Sequence, residues 1–445
     1  MFETIKNAWS IKELRKKILF TLLIILIVRI GMGTITVPYV NPEAVGLIFD
    51  STNNQFFGYL SLLSGGAFQS MTLFAMSITP YINASIIVQL LTIAIPALEK
   101  MVKEGGDEGR KKQAALTRYV TIGIGLIQGF AYYTAIKNQS IQLTDGSYVD
   151  VLENPNVWKA FVIIASFAAG SAIIMWLGEQ INSFGIGNGI SIILFVGIIS
   201  RIPSICVSLY ANVAAGTLNI FVLAAVLLAF LAVIIFIVFV TDAERRLPTQ
   251  YAKRVVGRKV YGGQTSFIPL KVNMTGVMPV IFASSIVSLP SIIYSFCGKS
   301  ASGFGNEYNG FWDAVISWLS SPSPVYVVLY FLMIIGFSFF YAYTQFNPIE
   351  VANNLKSQGG SIPGYRPGKP TADYISKVLK KVTIIGAGFL GFIAVLPIIV
   401  SVFSTSLSGI ALGGTTVLIV VGVALDTVKA MEAQIVMRYH KGFLD

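Results

Sequence analysis

The chain has 445 residues, of which 54% are hydrophobic and 12% charged, with a net charge of +11 and a mean hydropathy of +0.72. Soluble domains carry about 25% charged residues, so a water-facing globular protein is excluded and the basic excess reads first as membrane topology rather than nucleic-acid binding. Cys206 and Cys297 are the only cysteines and His440 the only histidine, which excludes a disulfide framework and the usual metal-ligand spacings.

Lys12, Arg15, Lys16 and Lys17 precede an apolar run from Ile18 to Val37. That run is too long for a signal-peptide core, and no small-residue cleavage site follows it, so it reads as a first span that stays attached. A spanning helix takes roughly 20 mostly apolar residues. Ten such stretches lie near 18–37, 74–96, 116–136, 158–178, 188–208, 219–241, 274–294, 324–346, 382–402 and 413–430. With the N-terminus in the cytoplasm, segments 1–17, 97–118, 242–273, 347–381 and 427–445 hold 27 of the 32 Lys and Arg. The opposite side receives Lys137, Lys159 and Lys299. Ten spans with both termini cytoplasmic give this asymmetry, and adding or removing one span scrambles it. Arg29 lies close enough to the outer end of the first span to snorkel.

Between the first two spans, Phe56 to Leu63 form a short apolar piece ending in Ser64-Gly65-Gly66. It is too short to cross. Unpaired backbone cannot face lipid, so the piece is either an interfacial helix or a re-entrant plug. The second span is the most polar, with Ser77, Thr79, Asn83, Ser85, Gln89 and Thr92, which serve as interhelical glue or line a wet path. Gly185-Ile186-Gly187-Asn188-Gly189 has the look of a phosphate loop but precedes a span, so it reads as a tight turn between the fourth and fifth spans. The loop 242–273 carries Arg245, Arg246, Lys253, Arg254, Arg258, Lys259 and Lys271, and Val255–Val260 reads as a hairpin with its turn at Gly257. In the loop 347–381, Pro363-Gly364-Tyr365-Arg366-Pro367-Gly368 stiffens and aims Arg366. Both loops are longer than orientation alone requires, and their charge points to an acidic or phosphate-rich partner.

Chemistry is missing elsewhere. No Walker motif occurs, and the sole histidine sits in the C-terminal tail, so no nucleophile–histidine pair is available. The spans are nearly free of the ionisable residues that pumps and ion-coupled transporters place at mid-bilayer. No enzyme activity and no cofactor are expected. Cys206 and Cys297 fall near the outer face and read as two buried free thiols.

The order of motifs then becomes specific. Ser64-Gly65-Gly66-Ala67, Thr79-Pro80-Tyr81-Ile82-Asn83-Ala84-Ser85-Ile86-Ile87, Trp176-Leu177-Gly178-Glu179-Gln180-Ile181, Gly185–Ser191, Tyr251-Ala252-Lys253-Arg254, Pro269–Asn273, Phe282-Ala283-Ser284-Ser285 and Gly413-Gly414-Thr415-Thr416 resemble the motifs of the SecY family, in order, from the first span to the tenth. The resemblance implies an all-α integral membrane fold of ten transmembrane helices. Two pseudo-symmetric inverted five-helix halves, 1–212 and 213–445, would surround a central hourglass pore. It implies a constriction ring of Ile78, Ile82, Ile190, Leu194, Ile281 and Ile419, with Leu194 a volume-conserving departure from isoleucine. It assigns the plug to residues 56–66, namely Phe56, Phe57, Tyr59, Leu60, Leu62, Leu63, Ser64, Gly65 and Gly66. It places Asn83, Ile86, Gln89 and Ser285 at a gate opening sideways to lipid.

The same resemblance implies a passive protein-conducting channel in the bacterial inner membrane. Unfolded secretory chains and their signal peptides would pass across, and transmembrane segments would leave into lipid. Lys253, Arg254, Arg258, Lys259 and Arg366 would contact ribosomal RNA phosphates or the SecA ATPase, with SecE clamping the halves and SecG peripheral. A secondary transporter of a small solute would need a midplane charge or broken-helix ion site, and none stands out. An accessory paralogue serving dedicated substrates is the nearer alternative.

Overall fold

Each of the ten predicted spans coincides with helix in the computed structural model, which describes residues 8–42, 44–46, 65–137, 140–142, 148–152, 156–216, 220–251, 254–256, 259–261, 265–296, 310–319, 323–403 and 414–441. In chain order the elements are α1 (Lys12–Thr34), α2 (Thr79–Ala94), α3 (Pro96–Glu104), α4 (Gly106–Lys137), β1 (Ser140–Gln142), β2 (Tyr148–Asp150), α5 (Val157–Phe184), α6 (Gly189–Ile199), α7 (Ile202–Ala214) and α8 (Ile220–Asp242). There follow β3 (Glu244–Tyr251), β4 (Arg254–Val256), β5 (Lys259–Tyr261), β6 (Thr265–Lys271), α9 (Met278–Phe296), α10 (Phe311–Leu319), α11 (Pro324–Gln345), α12 (Pro348–Ser357), β7 (Gly360–Ser361), α13 (Lys369–Phe403) and α14 (Gly414–Lys441). Among the described residues seven helical stretches are long and apolar enough to cross a bilayer, with α6 and α7 counted as one; α2 and α3, bent by 104° at Ile95, make an eighth. The shorter apolar α9 and the C-terminal α14 occupy the remaining two predicted positions.

The surface is inverted relative to a soluble protein. Leu22, Leu26, Leu126, Phe161, Leu228 and Phe239 are exposed, whereas Thr21, Thr121, Ser171, Ser338 and Thr416 are buried. Several buried hydroxyls are satisfied inside their own helix, Thr21 to the Lys17 carbonyl at 2.9 Å, Thr121 to Thr117 at 2.7 Å and Ser338 to Ile334 at 2.7 Å. Helix α8 is apolar all round, with only Ile237 and Thr241 buried. Its 23 residues give about 35 Å, enough for a hydrocarbon core of about 30 Å. Such a helix is at home in lipid.

Two compact units make up the chain. The first comprises Met1–Thr217, Ser288–Ser323 and Val423–Asp445. Within it α4 packs against both α2 and α5, and α5 also meets α1 and α6. A core of Val37, Phe68, Met71, Met76, Tyr132, Ile163 and Phe167 lies at one end of these helices. Tyr132 joins two edge-to-face contacts there, to Phe68 at 4.9 Å and Phe167 at 6.1 Å between centroids. The C-terminal part of α14 meets the chain start through Met431 and Ile435 beside Leu14 and Ile186, and Lys17 donates to Gln434 at 3.3 Å.

The second unit comprises Leu218–Val287 and Pro324–Gly422. Helices α11 and α13 pack along each other, and α12 and β6 close on α13. Strand β3 lies between β6 and β7, antiparallel to both, with registers running from Glu244–Lys271 to Gln250–Thr265 and from Gln250–Ser361 to Tyr251–Gly360. Leu247, Leu270, Leu355, Ile362 and Ile375 form the core beneath this sheet.

Two expectations need correction. The second span was expected from residue 74, but α2 begins at Thr79. Residues 65–78 are instead a buried run of turns. Their backbone is stitched to the end of α1, with Leu73 N donating to the Ile35 carbonyl at 2.7 Å and Val37 N to Met71 at 2.9 Å. Positive φ at Met71 and Ser77 (41° and 49°) is incompatible with helix, and Pro80 then opens α2 where its missing N–H costs nothing. The second correction concerns Cys206, expected to be buried. It is free and exposed on α7, because lipid receives a thiol as readily as a protein core does. Cys297 lies outside the described residues.

Candidate functional site

The first unit holds four of the six residues expected to form the ring, as two one-turn pairs. Ile78 is the N-cap of α2 and fully buried; Ile82, also buried, donates its N–H to the Ile78 carbonyl at 3.1 Å. Ile190 and Leu194 stand four apart on α6 and so share a face, Leu194 buried and Ile190 half-buried. The start of α6 is fixed by two asparagines. Asn188 caps it, accepting from Ile190 N at 3.1 Å, and Asn182 accepts from Gly189 N at 2.7 Å. Gly187 takes φ of 78°, and Ile186 N donates to Thr21 Oγ1 at 3.2 Å. The glycine run is therefore the tight turn expected from its place between two spans.

In the second unit Ile281 sits in the first turn of α9, half-buried, and Ile419 in the second turn of α14, buried. Gly422 brings α14 against the start of α9, since a Cβ there would stand 2.9 Å from Val277 Cγ1. Val277 is one turn before Ile281 and Gly422 one turn after Ile419. Of the residues expected at the gate, Ile86 is buried and Asn83 and Gln89 half-buried on α2, and Ser285 is half-buried on α9. Ser85 and Thr92 turn their hydroxyls into α2 itself, at 2.8 Å from the Ile82 and Val88 carbonyls.

Residues Phe56 to Ser64 of the expected plug lie outside the described residues, as do Lys253 and Arg258. Gly65 and Gly66 are described, with φ of 63° and 89°. Gly65 is glycine for a second reason: a Cβ would stand 2.8 Å from the Gly197 carbonyl of α6. Arg29 is exposed on α1 and its Nη1 donates to the Gly65 carbonyl at 3.3 Å.

Arg254 and Lys259 fall on β4 and β5, which pair antiparallel as Arg254–Tyr261 and Val256–Lys259, the hairpin expected around Gly257. Arg366 is exposed on a braced loop. Its carbonyl accepts from Thr371 Oγ1 at 2.8 Å, Tyr365 stacks on Tyr374 at 4.2 Å, and Gly364 and Gly368 supply φ of 86° and 105°. Sequence reasoning missed that the two basic loops are one body, joined where β7 of the second pairs with β3 of the first. Alternation at Leu247, Thr249 and Tyr251 was the available signal. It also missed the partners of Arg246, whose guanidinium lies 4.7 Å over the Phe267 ring and 2.6 Å from Glu244, and the Arg118–Glu179 pair at 2.8 Å joining α4 to α5.

Comparison with known proteins bears on this arrangement. The SecY family model matches residues 72–428. Over the full length of both chains, the protein is 43% identical to the protein translocase subunit SecY of Halalkalibacterium halodurans and 40% identical to that of Streptomyces scabiei. It is 42% identical to the Mycobacterium tuberculosis protein of the same name, over 97% of each chain. Its fold is similar to a solved protein-conducting channel, with a TM-score of 0.64 at 18% identity over 94% of this chain and 92% of that one. A SecY structure determined for its plug domain gives 0.65 at 20% identity, with the same coverage. Sec61 in a canine ribosome–channel complex gives 0.62 at 18%, again over 94% and 92%.

Proposed function

Since the chain belongs to the SecY family of protein translocase subunits, we propose that Ile78, Ile82, Ile190, Leu194, Ile281 and Ile419 form the constriction of its protein-conducting channel. The protein is a channel subunit and not an enzyme. The observation that carries the reading is the end-to-end match to translocase subunits at 40–43% identity; the one-turn aliphatic pairs on α2 and α6 support the residue assignment. Aliphatic side chains bind no particular sequence, so any unfolded chain can slide past them, and an apolar constriction excludes ions by dewetting. Residues 1–212 and 213–445 are the two halves, 56–66 the plug, and Asn83, Ile86, Gln89 and Ser285 the gate to lipid. Sorting then needs no catalysis. A Leu, Ile, Phe or Val at a helix centre gains about 0.3–0.6 kcal/mol in the bilayer while Asp, Lys or Arg costs about 2.5–3.5, so apolar segments leave sideways and polar ones continue across.

The drive comes from outside the chain. Lys253, Arg254, Arg258, Lys259 and Arg366 dock ribosomal RNA phosphates or the SecA ATPase, a reading supported by the place of Arg254 and Lys259 on the β4–β5 hairpin and of Arg366 on its braced loop. SecE clamps the halves and SecG lies at the edge. The protein resides in the bacterial inner membrane with both termini cytoplasmic, as the distribution of its basic residues supports.

A photo-crosslinker at Ile82 or Ile281, with a secretory precursor stalled midway, tests the constriction. Adducts to the precursor at both positions are expected. Adducts confined to other helix faces would remove these residues from the pore.

A further inference from the structure

Helix α10, Phe311–Leu319, is folded inside out. Asp313, Ile316 and Ser317 are buried, while Phe311 (76% exposed), Trp312 (69%) and Trp318 (45%) face outward with Val315 and Leu319 half-buried beside them. At 3.6 residues per turn positions 311, 312, 315, 318 and 319 sweep one face and 313, 316 and 317 the other. The buried face thus holds the two polar side chains and the open face is wholly apolar. The spans share this inversion, with Thr121 and Ser171 turned inward and Leu126 and Phe161 outward. Nine residues reach about 14 Å, less than half of a hydrocarbon core of about 30 Å, so α10 cannot cross.

What covers this face follows from its chemistry and its neighbours. The helix holds no Lys or Arg, so it is not built for an anionic surface. Trp and Phe rings suit the boundary between acyl chains and headgroups. The helix is joined directly to a membrane-spanning stretch of chain, the Ser323 hydroxyl bonding the Trp318 carbonyl immediately before α11 starts at Pro324. Trp158 and Phe161, stacked 6.0 Å apart and exposed, mark a similar aromatic boundary at the start of α5, beside Lys159 over the Tyr39 ring.

We infer that α10 lies flat in the outer leaflet, with Phe311, Trp312 and Trp318 seated among phospholipid at the acyl–headgroup boundary. The segment Ser288–Ser323 is part of one compact unit, so this seat sets the depth of the C-terminal part of α9. The choice of leaflet rests on the orientation proposed above.

The test uses the full chain in its reconstituted translocase, with Trp9, Trp158 and Trp176 replaced by Phe so that Trp312 and Trp318 report alone. Lipid brominated near the headgroup end of its chains is expected to quench them about twofold more than lipid brominated near the chain ends, with iodide in the water quenching weakly. If the triple replacement folds poorly, the difference between the unaltered protein and W312F/W318F gives the same reading. Quenching by iodide without quenching by brominated lipid would place α10 in water and overturn the inference. Protection from both would mean a protein partner covers it, and would also overturn it. Alkaline phosphatase fused after Leu319 reports the side independently. An active fusion with no lipid quenching overturns the interfacial seat while the orientation stands, and an inactive fusion overturns the outer-leaflet assignment with the orientation itself.

Discussion

Gly170 sets how closely the turn-rich segment 65–78 approaches α5, because a Cβ at that position would meet the Leu73 carbonyl. Backbone cannot retreat as a flexible side chain can. Gly170→Ala is expected to cost about 1–3 kcal/mol as overpacking, lowering the thermal unfolding midpoint in detergent. Gly123→Ala on the open side of α4, where a Cβ meets nothing within 4 Å, should instead gain up to about 1 kcal/mol in helix propensity. The Arg118–Glu179 pair is half-open to its surroundings, with side chains 51% and 22% exposed. Its coupling should therefore stay within about 1 kcal/mol, and a double-mutant cycle checks this: Glu179→Arg destabilises and R118E/E179R recovers most of the loss. Neither site is apparent from sequence, because both depend on which helices become neighbours. What was apparent was the identity of residues that need no neighbour to be understood, such as the glycine-rich turn at Gly185–Gly189 and the prolines and glycines around Arg366.

Elements were legible in proportion to how far local pattern decides them. Spans such as α8 and α5 announce themselves because lipid selects composition along a whole helix. The start of α2 did not, since residues 73–78 are apolar enough for a span yet spend their backbone hydrogen bonds on neighbouring turns and, at Leu73, on the end of α1. The β3–β6 ribbon was masked by its prolines. Pro248 and Pro269 sit within paired strands, where proline argues against a strand on sequence grounds. The sheet is nevertheless held by an apolar core, and Leu270 is fully buried in it. Leu270→Ala should cost about 2–5 kcal/mol locally. Limited proteolysis would then cut the loops 242–273 and 347–381 faster while the spans remain intact.

At the scale of the whole molecule, the asymmetry of Lys and Arg carried the expected orientation, and the order of motifs carried the family. The six residues proposed for the ring were reachable only through that family, because nothing in their local sequence sets them apart from isoleucines and leucines that face lipid. If the basic loops dock on RNA phosphates, Arg366→Ala and Lys259→Ala should each weaken ribosome binding and reduce the slope of log affinity against log salt by about 1. An unchanged slope with weakened binding would point to contacts other than phosphate.

The pairing of β7 with β3 also has a mechanical side. Hydrogen bonds between antiparallel strands run across the strand direction, so a load along β3 shears the pairs from Glu244–Lys271 to Gln250–Thr265 all together. A load that lifts the far end peels them one at a time, starting at Gln250. The ribbon is therefore stiff toward a machine that thrusts along its axis and compliant toward one that tilts its tip. With β7 bonded at that same end, either force is felt by both loops at once.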